Sequence, residues 1–189
     1  SDSKIVVSEE SGKAGETVDV KVSLLDNPGI ATMLLSVGYN SDVLTLKGVA
    51  DAGVLGTQYH SDDYAANPYT LLWSNGTAKE NFTASGTIAT LSFEIKDGAT
   101  TGEYPITVTY EEDDVYDIDE ENVAFAVVNG KVKVNVVSPC TVTYTGDYTG
   151  TQIVGYNKKA DLPNEYGYTY TFEVDNEIWD GVVKGDTTV

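Results

Sequence analysis

Apolar and polar residues alternate along most of this 189-residue chain. In ETVDVKVSLL (16–25) Val18, Val20, Val22 and Leu24 fall on one face, the two-residue period of a strand with one buried side. NPG (27–29) marks a turn, and IATMLLSVGY (30–39) is a longer strand. There Met33, Leu35, Val37 and Tyr39 share one face, and Thr32, Leu34 and Ser36 share the other. YTLLWSNG (69–76) reads as a strand closed by Asn75-Gly76, a strong turn dipeptide. In GTIATLSFEIKDG (86–98) Ala89, Leu91, Phe93 and Ile95 oppose Ile88, Thr90, Ser92 and Glu94. YPITVTY (104–110) and VAFAVVNGKVKVNVV (123–137) follow, the second with Asn129-Gly130 as the expected turn of a hairpin.

Short strands separated by turn signals, with no 3.6-residue period, predict an all-β fold built as an antiparallel sandwich. Such a sheet buries one face and wets the other. An apolar residue on the wet face is then informative, and Leu34 and Leu72 are two of them. In LLWSN the indole of Trp73 points away from Leu72, and the larger side chain is expected in the core. Ser138-Pro139 reads as a boundary between a domain at 1–137 and a Tyr-rich piece of short strands at 138–189. A piece of about fifty residues is marginal on its own and is expected to lean on a neighbour.

Charge narrows the choice of partner. The formal charge is −19, with eleven lysines and no arginine. Residues 1–137 hold eight lysines against twenty-two carboxylates, and 138–189 hold three against eight. Nucleic acid and anionic lipid both require a basic face, so neither is an expected partner. No stretch approaches the roughly 20 apolar residues of a membrane span. Cys140 is the only cysteine, which leaves no internal disulfide and no Cys/His set for zinc. No signal peptide is visible, so a secreted protein would be represented here by a mature piece. Acidic, Thr- and Tyr-rich, Arg-free composition fits a secreted or surface-exposed bacterial chain.

The run YEEDDVYDIDEEN (110–122) concentrates eight carboxylates between Glu111 and Glu121. A calcium loop needs alternating ligands, a glycine at the sharp turn and a distal Glu. Asp117 to Asn122 alternates but lacks the glycine, so a solvated strand end with its loop is the simpler reading. Mutual repulsion then requires hydration or a facing partner. A glycosidase pair needs two carboxyls about 5–10 Å apart, one with a raised pKa, and thirty acids make that pattern uninformative. His60 stands alone in QYHSDDY with no nucleophile motif, and reads as a loop histidine. Asn75-Gly76-Thr77 and Asn81-Phe82-Thr83 match the glycosylation pattern, but Asn75-Gly76 reads better as a turn.

Four segments, AGETVDVKVSL (14–24), GIATMLLSVGYNSDVL (29–44), GTIATLSFEIKDGATTGEYPI (86–106) and VNGKVKV (128–134), together resemble the cohesin modules of cellulosomal scaffoldins, in order along residues 4–137. The resemblance implies a nine-stranded jelly-roll sandwich without catalysis, a monomeric binding module whose partner is a dockerin. Calcium would belong to the dockerin, and this chain would need no cofactor. The implied contact residues are Thr32, Leu34 and Ser36 on the family's third strand and Asp63 and Tyr64 near its fifth. Thr70, Leu72 and Asn75 follow on its sixth, and Glu111, Asp119, Glu120, Glu121 and Asn122 at the end of its eighth. The best-studied members carry Asn and Asp where this chain has Thr32 and Leu34, and Glu where it has Asn75, which points to a divergent class with a more apolar centre. Carbohydrate-binding modules share the sandwich, and for that alternative Tyr59, Tyr64 and Tyr69 are the aromatic candidates.

Residues 140–189 resemble the small β-grasp-like repeats of Gram-positive surface proteins, of the internalin B-repeat kind, through TVTYTG, QIVGYNKKADLP and YGYTYTFEVDNEIWDGVVKGDTTV. That implies a spacer with Trp179 in its core. The expectation is also that the repeat is cut after Val189.

Overall fold

The computed structural model describes residues 2–163 and 170–189. They fall into two units, Ser1–Asn135 and Val136–Val189. The first holds β1 (Lys4–Val7), β2 (Glu9–Gly12), β3 (Thr17–Leu25), β4 (Thr32–Gly38), β5 (Leu44–Asp51) and β6 (Gln58–His60). It continues with β7 (Tyr69–Ser74), β8 (Gly86–Ile95), β9 (Gly102–Thr109), β10 (Val115–Tyr116), β11 (Ala126–Val128) and β12 (Gly130–Val134). One sheet runs β11-β1-β3-β8-β5. The other runs β2-β12-β9-β4-β7-β6, with β10 pairing β4 beyond the end of β9.

The core lies between the two sheets. Val18, Val20, Val22 and Leu24 of β3 are buried, as are Met33, Leu35 and Val37 of β4 and Tyr69, Leu71 and Trp73 of β7. Tyr39, just past β4, packs edge-on against Phe93 with centroids 4.9 Å apart. Trp73 enters the core as its pattern demands, and its indole N–H donates to Asp51 of the opposite sheet at 3.2 Å.

Two expectations are overturned. Ile88 does not share the wet face with Thr90. The β3–β8 register passes from Val22 opposite Ala89 to Ser23 opposite Thr87, leaving Ile88 as an inserted residue. A bulge of this kind re-aims the chain, so Ile88 and Ala89 are both fully buried. Nor do β11 and β12 form a hairpin about Asn129-Gly130. β11 pairs in parallel with β1 in one sheet, and β12 pairs in parallel with β2 in the other. The chain therefore changes sheets at Asn129, beside Ser8, where the first strand makes the same crossing. Asn129 is used there as an acceptor, its Oδ1 taking the N–H of Val108 at 2.9 Å. Gly130 is required by close approach, because a Cβ would strike the Ser8 carbonyl and lie 2.7 Å from that of Val7.

The second unit holds β13 (Cys140–Tyr144), β14 (Gly150–Val154), β15 (Lys158–Lys159), β16 (Glu173–Val174), β17 (Glu177–Ile178), β18 (Val182–Val183) and β19 (Thr187–Thr188). These make small sheets β14-β13-β19, β15-β18 and β16-β17. Cys140, Val142, Tyr144, Val154, Ala160, Phe172 and Val183 form its core, with Trp179 packed against it and donating its indole N–H to Val182 O at 3.2 Å. Tyr166 to Thr169 of the quoted repeat pattern lie outside the described residues.

Replacing Gly130 by Ala forces a methyl against two backbone carbonyls that cannot swing away. The variant is expected to lose about 3 kcal/mol, read as a lower urea midpoint with an unchanged m-value.

Candidate partner-binding face

The outward face of the sheet containing β4 and β7 is ordered by register. Thr32 lies opposite Ser74, Leu34 opposite Leu72, and Ser36 opposite Thr70. Tyr59 of β6 lies opposite Leu72, so Leu34, Leu72 and Tyr59 form one row across three strands. Leu34 and Leu72 are half-buried, and Tyr59 is 56% exposed. On the row beside it, Tyr116 of β10 faces Thr32, which is only 8% exposed. The next row is Thr109, Ser36 and Thr70, all hydroxyl-bearing.

The face therefore has an apolar strip between two hydroxyl rows. Sequence periodicity placed Thr32, Leu34, Ser36, Thr70 and Leu72 on this side, and the register brings them into contact order. Tyr59 and Tyr116 were not among those positions. Their strands are three and two residues long, too short for alternation to reveal a face.

Asp63 and Tyr64 do not lie on the strand expected near them. That strand is β6, Gln58–His60, and both residues follow it on a loop. The loop is held firmly: Tyr39 OH donates to Tyr64 O at 3.2 Å, Asn67 Nδ2 to Tyr39 O at 2.7 Å, and Tyr69 OH to Ser61 O. Asp63 is exposed and Tyr64 is half-buried against the core. His60 ends β6, exposed, with Nε2 4.0 Å from Asp62. Asn75 is committed to the backbone. Its amide donates to Ala31 O at 3.1 Å and Leu55 O at 2.8 Å and accepts from Thr57 N at 2.9 Å. Gln58, opposite the buried Trp73, turns inward and has neither amide atom partnered.

The acidic run borders the strip. Its first acids form a 3-10 turn, Glu112–Asp114, immediately before Val115, which pairs with Met33; the turn thus stands at the edge of β4 beside Leu34. Its second half, Asp117 to Asn122, closes through a Tyr116–Asn122 bridge. The Asp117 carboxylate accepts the N–H groups of Asp119 at 2.9 Å and Glu121 at 3.0 Å, and Asn122 Nδ2 donates to Asp113 at 3.1 Å. Asn81 accepts the Ile118 N–H at 2.8 Å. Asp119, Glu120, Glu121 and Asn122 are exposed. Among the described residues no three His, Cys, Asp or Glu side chains are grouped to hold a metal ion.

Strands β4, β6, β7, β9 and β10 carry no lysine; the lysines on this sheet's strands are Lys131 and Lys133 on β12. Lys131 donates to Glu103 at 3.1 Å with Glu9 4.0 Å away, and that hydrogen bond first, then the two charges, raises its pKa.

An aromatic sugar platform does not form. Tyr69 is fully buried, Tyr64 is tilted 38° from it at 5.8 Å, and only Tyr59 stands in solvent. Stacking on a sugar needs coplanar exposed rings, which these three do not offer. The burial of Tyr69 also pushes its phenol up to about 12, with Tyr64 and then Asp62 adding to the rise.

Residues 3–134, the whole of this sandwich, match the cohesin domain. This chain belongs to the cohesin family. Cohesin modules are non-catalytic binding modules. A curated relative is cellulose-binding protein A of Clostridium cellulovorans, 25% identical over 143 residues. The match covers 72% of this chain but only 8% of that protein's length. Among solved structures, the sandwich is similar to a type I cohesin–dockerin complex of Clostridium thermocellum, with a TM-score of 0.64 at 18% identity, covering 71% of this chain and 100% of that one. It is similar to a cohesin of Acetivibrio cellulolyticus in complex with a dockerin, TM-score 0.64 at 17% identity, covering 71% and 99%. It is also similar to a non-cellulosomal cohesin of the archaeon Archaeoglobus fulgidus, TM-score 0.60 at 16% identity, covering 72% of this chain and 93% of that one.

Two measurements check this site. Gln58→Met keeps the shape of the cohesin's β6 side chain and removes two orphaned polar atoms, so stability should rise by about 1 kcal/mol in urea unfolding. Tyr69 stays protonated in the fold while an unfolded tyrosine ionises near 10.0. The unfolded chain then binds fewer protons, so stability is whole below pH 10 and falls as pH climbs toward about 12. Tyr69→Phe should flatten that fall in thermal melts across the same pH range.

Proposed function

We propose that this cohesin module binds a calcium-loaded dockerin across the outward face of β4, β6 and β7. The observation that carries the reading is the Leu34–Leu72 pair, two leucines in direct register on the solvent side of a cohesin sandwich. An apolar centre desolvates on docking while the hydroxyl rows supply hydrogen bonds at its rim. An interface of standard size, about 1,600 Å², fits one such sheet face. Thr32, Ser36 and Thr70 lie around the pair; Asp63, Tyr64, Asn75 and Glu111 frame it; Asp119, Glu120, Glu121 and Asn122 form an acidic edge. Asn75 acts by positioning the end of β7, since its amide is spent on backbone groups.

Calcium belongs to the partner in this reading. The module works outside the cell as one element of a cellulosome-type scaffold, joining a dockerin-bearing enzyme or second scaffold protein to a polysaccharide-degrading assembly. The likeness to complexes with dockerins supports this, as does the relative from Clostridium cellulovorans. Residues 136–189 serve as a spacer resembling the B-repeats of surface proteins.

Calorimetry against a panel of dockerins, with calcium and again with chelator, tests the proposal. At least one calcium-loaded dockerin should bind, and silence across the panel, including dockerins of the same organism, would end it. Leu72→Asp should weaken that complex by at least ~30-fold without altering the melting curve. Glu120→Gln with Glu121→Gln should slow association at low salt and leave dissociation nearly unchanged.

A further inference from the structure

The second unit carries a pocket of its own. It is lined by Tyr148, Tyr170, Phe172, Asp147 and Glu173 among others, and has a volume of about 320 Å³. That is the small end of the ~300–1,000 Å³ range of small-molecule sites. Three of these lining residues are aromatic and two are carboxylates, and among the described residues no lysine lines the pocket.

Its rings hold one another in place. Tyr148 and Tyr170 meet edge to face, with centroids 6.0 Å apart and planes inclined at 60°. Behind them Tyr144 is buried, and packs edge-on against Tyr148 at 5.5 Å and against Phe172 at 5.2 Å. The Tyr144 hydroxyl donates to Gln152 Oε1 at 3.1 Å. Phe172 is tied through its carbonyl, which accepts the Trp179 N–H at 2.8 Å. Walls fixed in this way need little further ordering when a ligand enters. Tyr148 and Tyr170 are half-buried, so each leaves part of its surface to a ligand.

Rings and charge together select the ligand. Two rings inclined at 60° make a poor platform for a flat sugar, which stacks on one open face. A cation uses them differently, because the face of an aromatic ring is negative and attracts a cation within ~6 Å of its centroid. Asp147 and Glu173 are exposed and have no ion-pair partner among the described residues. They repel an anion and attract a cation. A bare calcium or magnesium ion is a poor fit, since it takes roughly six or more oxygen ligands. Among the described residues no three such side chains group to hold a metal. An organic ammonium ion with methyl groups matches both features, its methyls to the rings and its charge to the carboxylates.

We infer that the Tyr148–Tyr170 pocket of the second unit binds a trimethylammonium group. The rings of Tyr148, Tyr170 and Phe172 pack against its methyl groups, and Asp147 and Glu173 balance its charge. The spacer unit then carries a ligand of its own, independent of the dockerin-binding face.

The test is a titration of the full chain, carrying isotope-labelled tyrosine, with choline chloride, followed by NMR. The ring signals of Tyr148 and Tyr170 should shift together and saturate, while Tyr59 of the first unit stays still. The neutral isostere of choline, with carbon in place of the quaternary nitrogen, should bind at least ~10-fold more weakly. Asp147→Asn with Glu173→Gln, both at exposed positions, should weaken choline by about fivefold or more at low salt. Tyr148→Leu should cost about fivefold as well, and if it unfolds the unit, the isostere and the carboxylate pair decide. Nε-trimethyllysine is titrated beside choline, and the tighter of the two tells whether the group is met on a small molecule or on a polypeptide. No saturable shift with either compound overturns the inference. So does equal binding of the isostere, or an affinity unchanged in the carboxylate pair. Shifts of Tyr148 and Tyr170 with a cello-oligosaccharide in place of choline overturn it in favour of a sugar site.

Discussion

Six residues of β4 lie opposite six of β7, from Thr32 against Ser74 to Val37 against Tyr69. That register is the constraint on which both faces of the sheet depend. It sends Met33, Leu35 and Val37 into the core together with Tyr69, Leu71 and Trp73. The same period of two then obliges Leu34 and Leu72 to meet on the outside. A slip of one residue would expose the indole of Trp73 and bury Leu72 or Ser74 in its place, so the core enforces the order of the outward face. The bond from Trp73 to Asp51 carries the constraint to the second sheet.

How much was legible follows from strand length. β3, β4 and β7 are long enough for alternation to fix their faces, and their core residues read directly from the sequence. β8 was read correctly except at Ile88, where a bulge adds a residue that no local pattern marks. Asn129-Gly130 was misread because the dipeptide has two uses. It closes hairpins, but here the glycine admits a neighbouring carbonyl and the asparagine accepts an N–H from β9, in the sheet that the chain is entering. Only the long-range pairing of β1 with β11 and β2 with β12 separates the two cases. The same limit hid Tyr59, whose strand is three residues long and acquires a face only by pairing with β7. Ordered likeness to cohesins points to the region of the proposed site, and the register orders the residues within it.

The acidic run illustrates how charge and backbone divide the work in a loop. Asp117 turns its carboxylate inward to two N–H groups of its own loop, and Asp114 accepts the N–H of Glu111 at 2.9 Å. Glu120 holds a left-handed conformation at φ +63, which a non-glycine residue adopts at some cost. Backbone hydrogen bonds thus fix the loop, while Asp119, Glu120 and Glu121 remain in solvent. Asp114 and Asp117 are thus spent on turn formation, and among the described residues no three such side chains gather about a common centre.

The two kinds of surface act at different distances. Exposed carboxylates in water are screened over about 8 Å at physiological salt, so they bias the approach and orientation of a basic partner more than they hold it. On the proposed docking face Leu34, Leu72 and Tyr59 would act only at contact, where water is expelled, and would therefore govern how long a complex lasts. Separating these roles has a structural advantage. The acids sit on turns before and after β10, held largely by hydrogen bonds of their own, and not on the β4–β7 ladder itself. The apolar row sits on that register itself, where its position is set by the core beneath it.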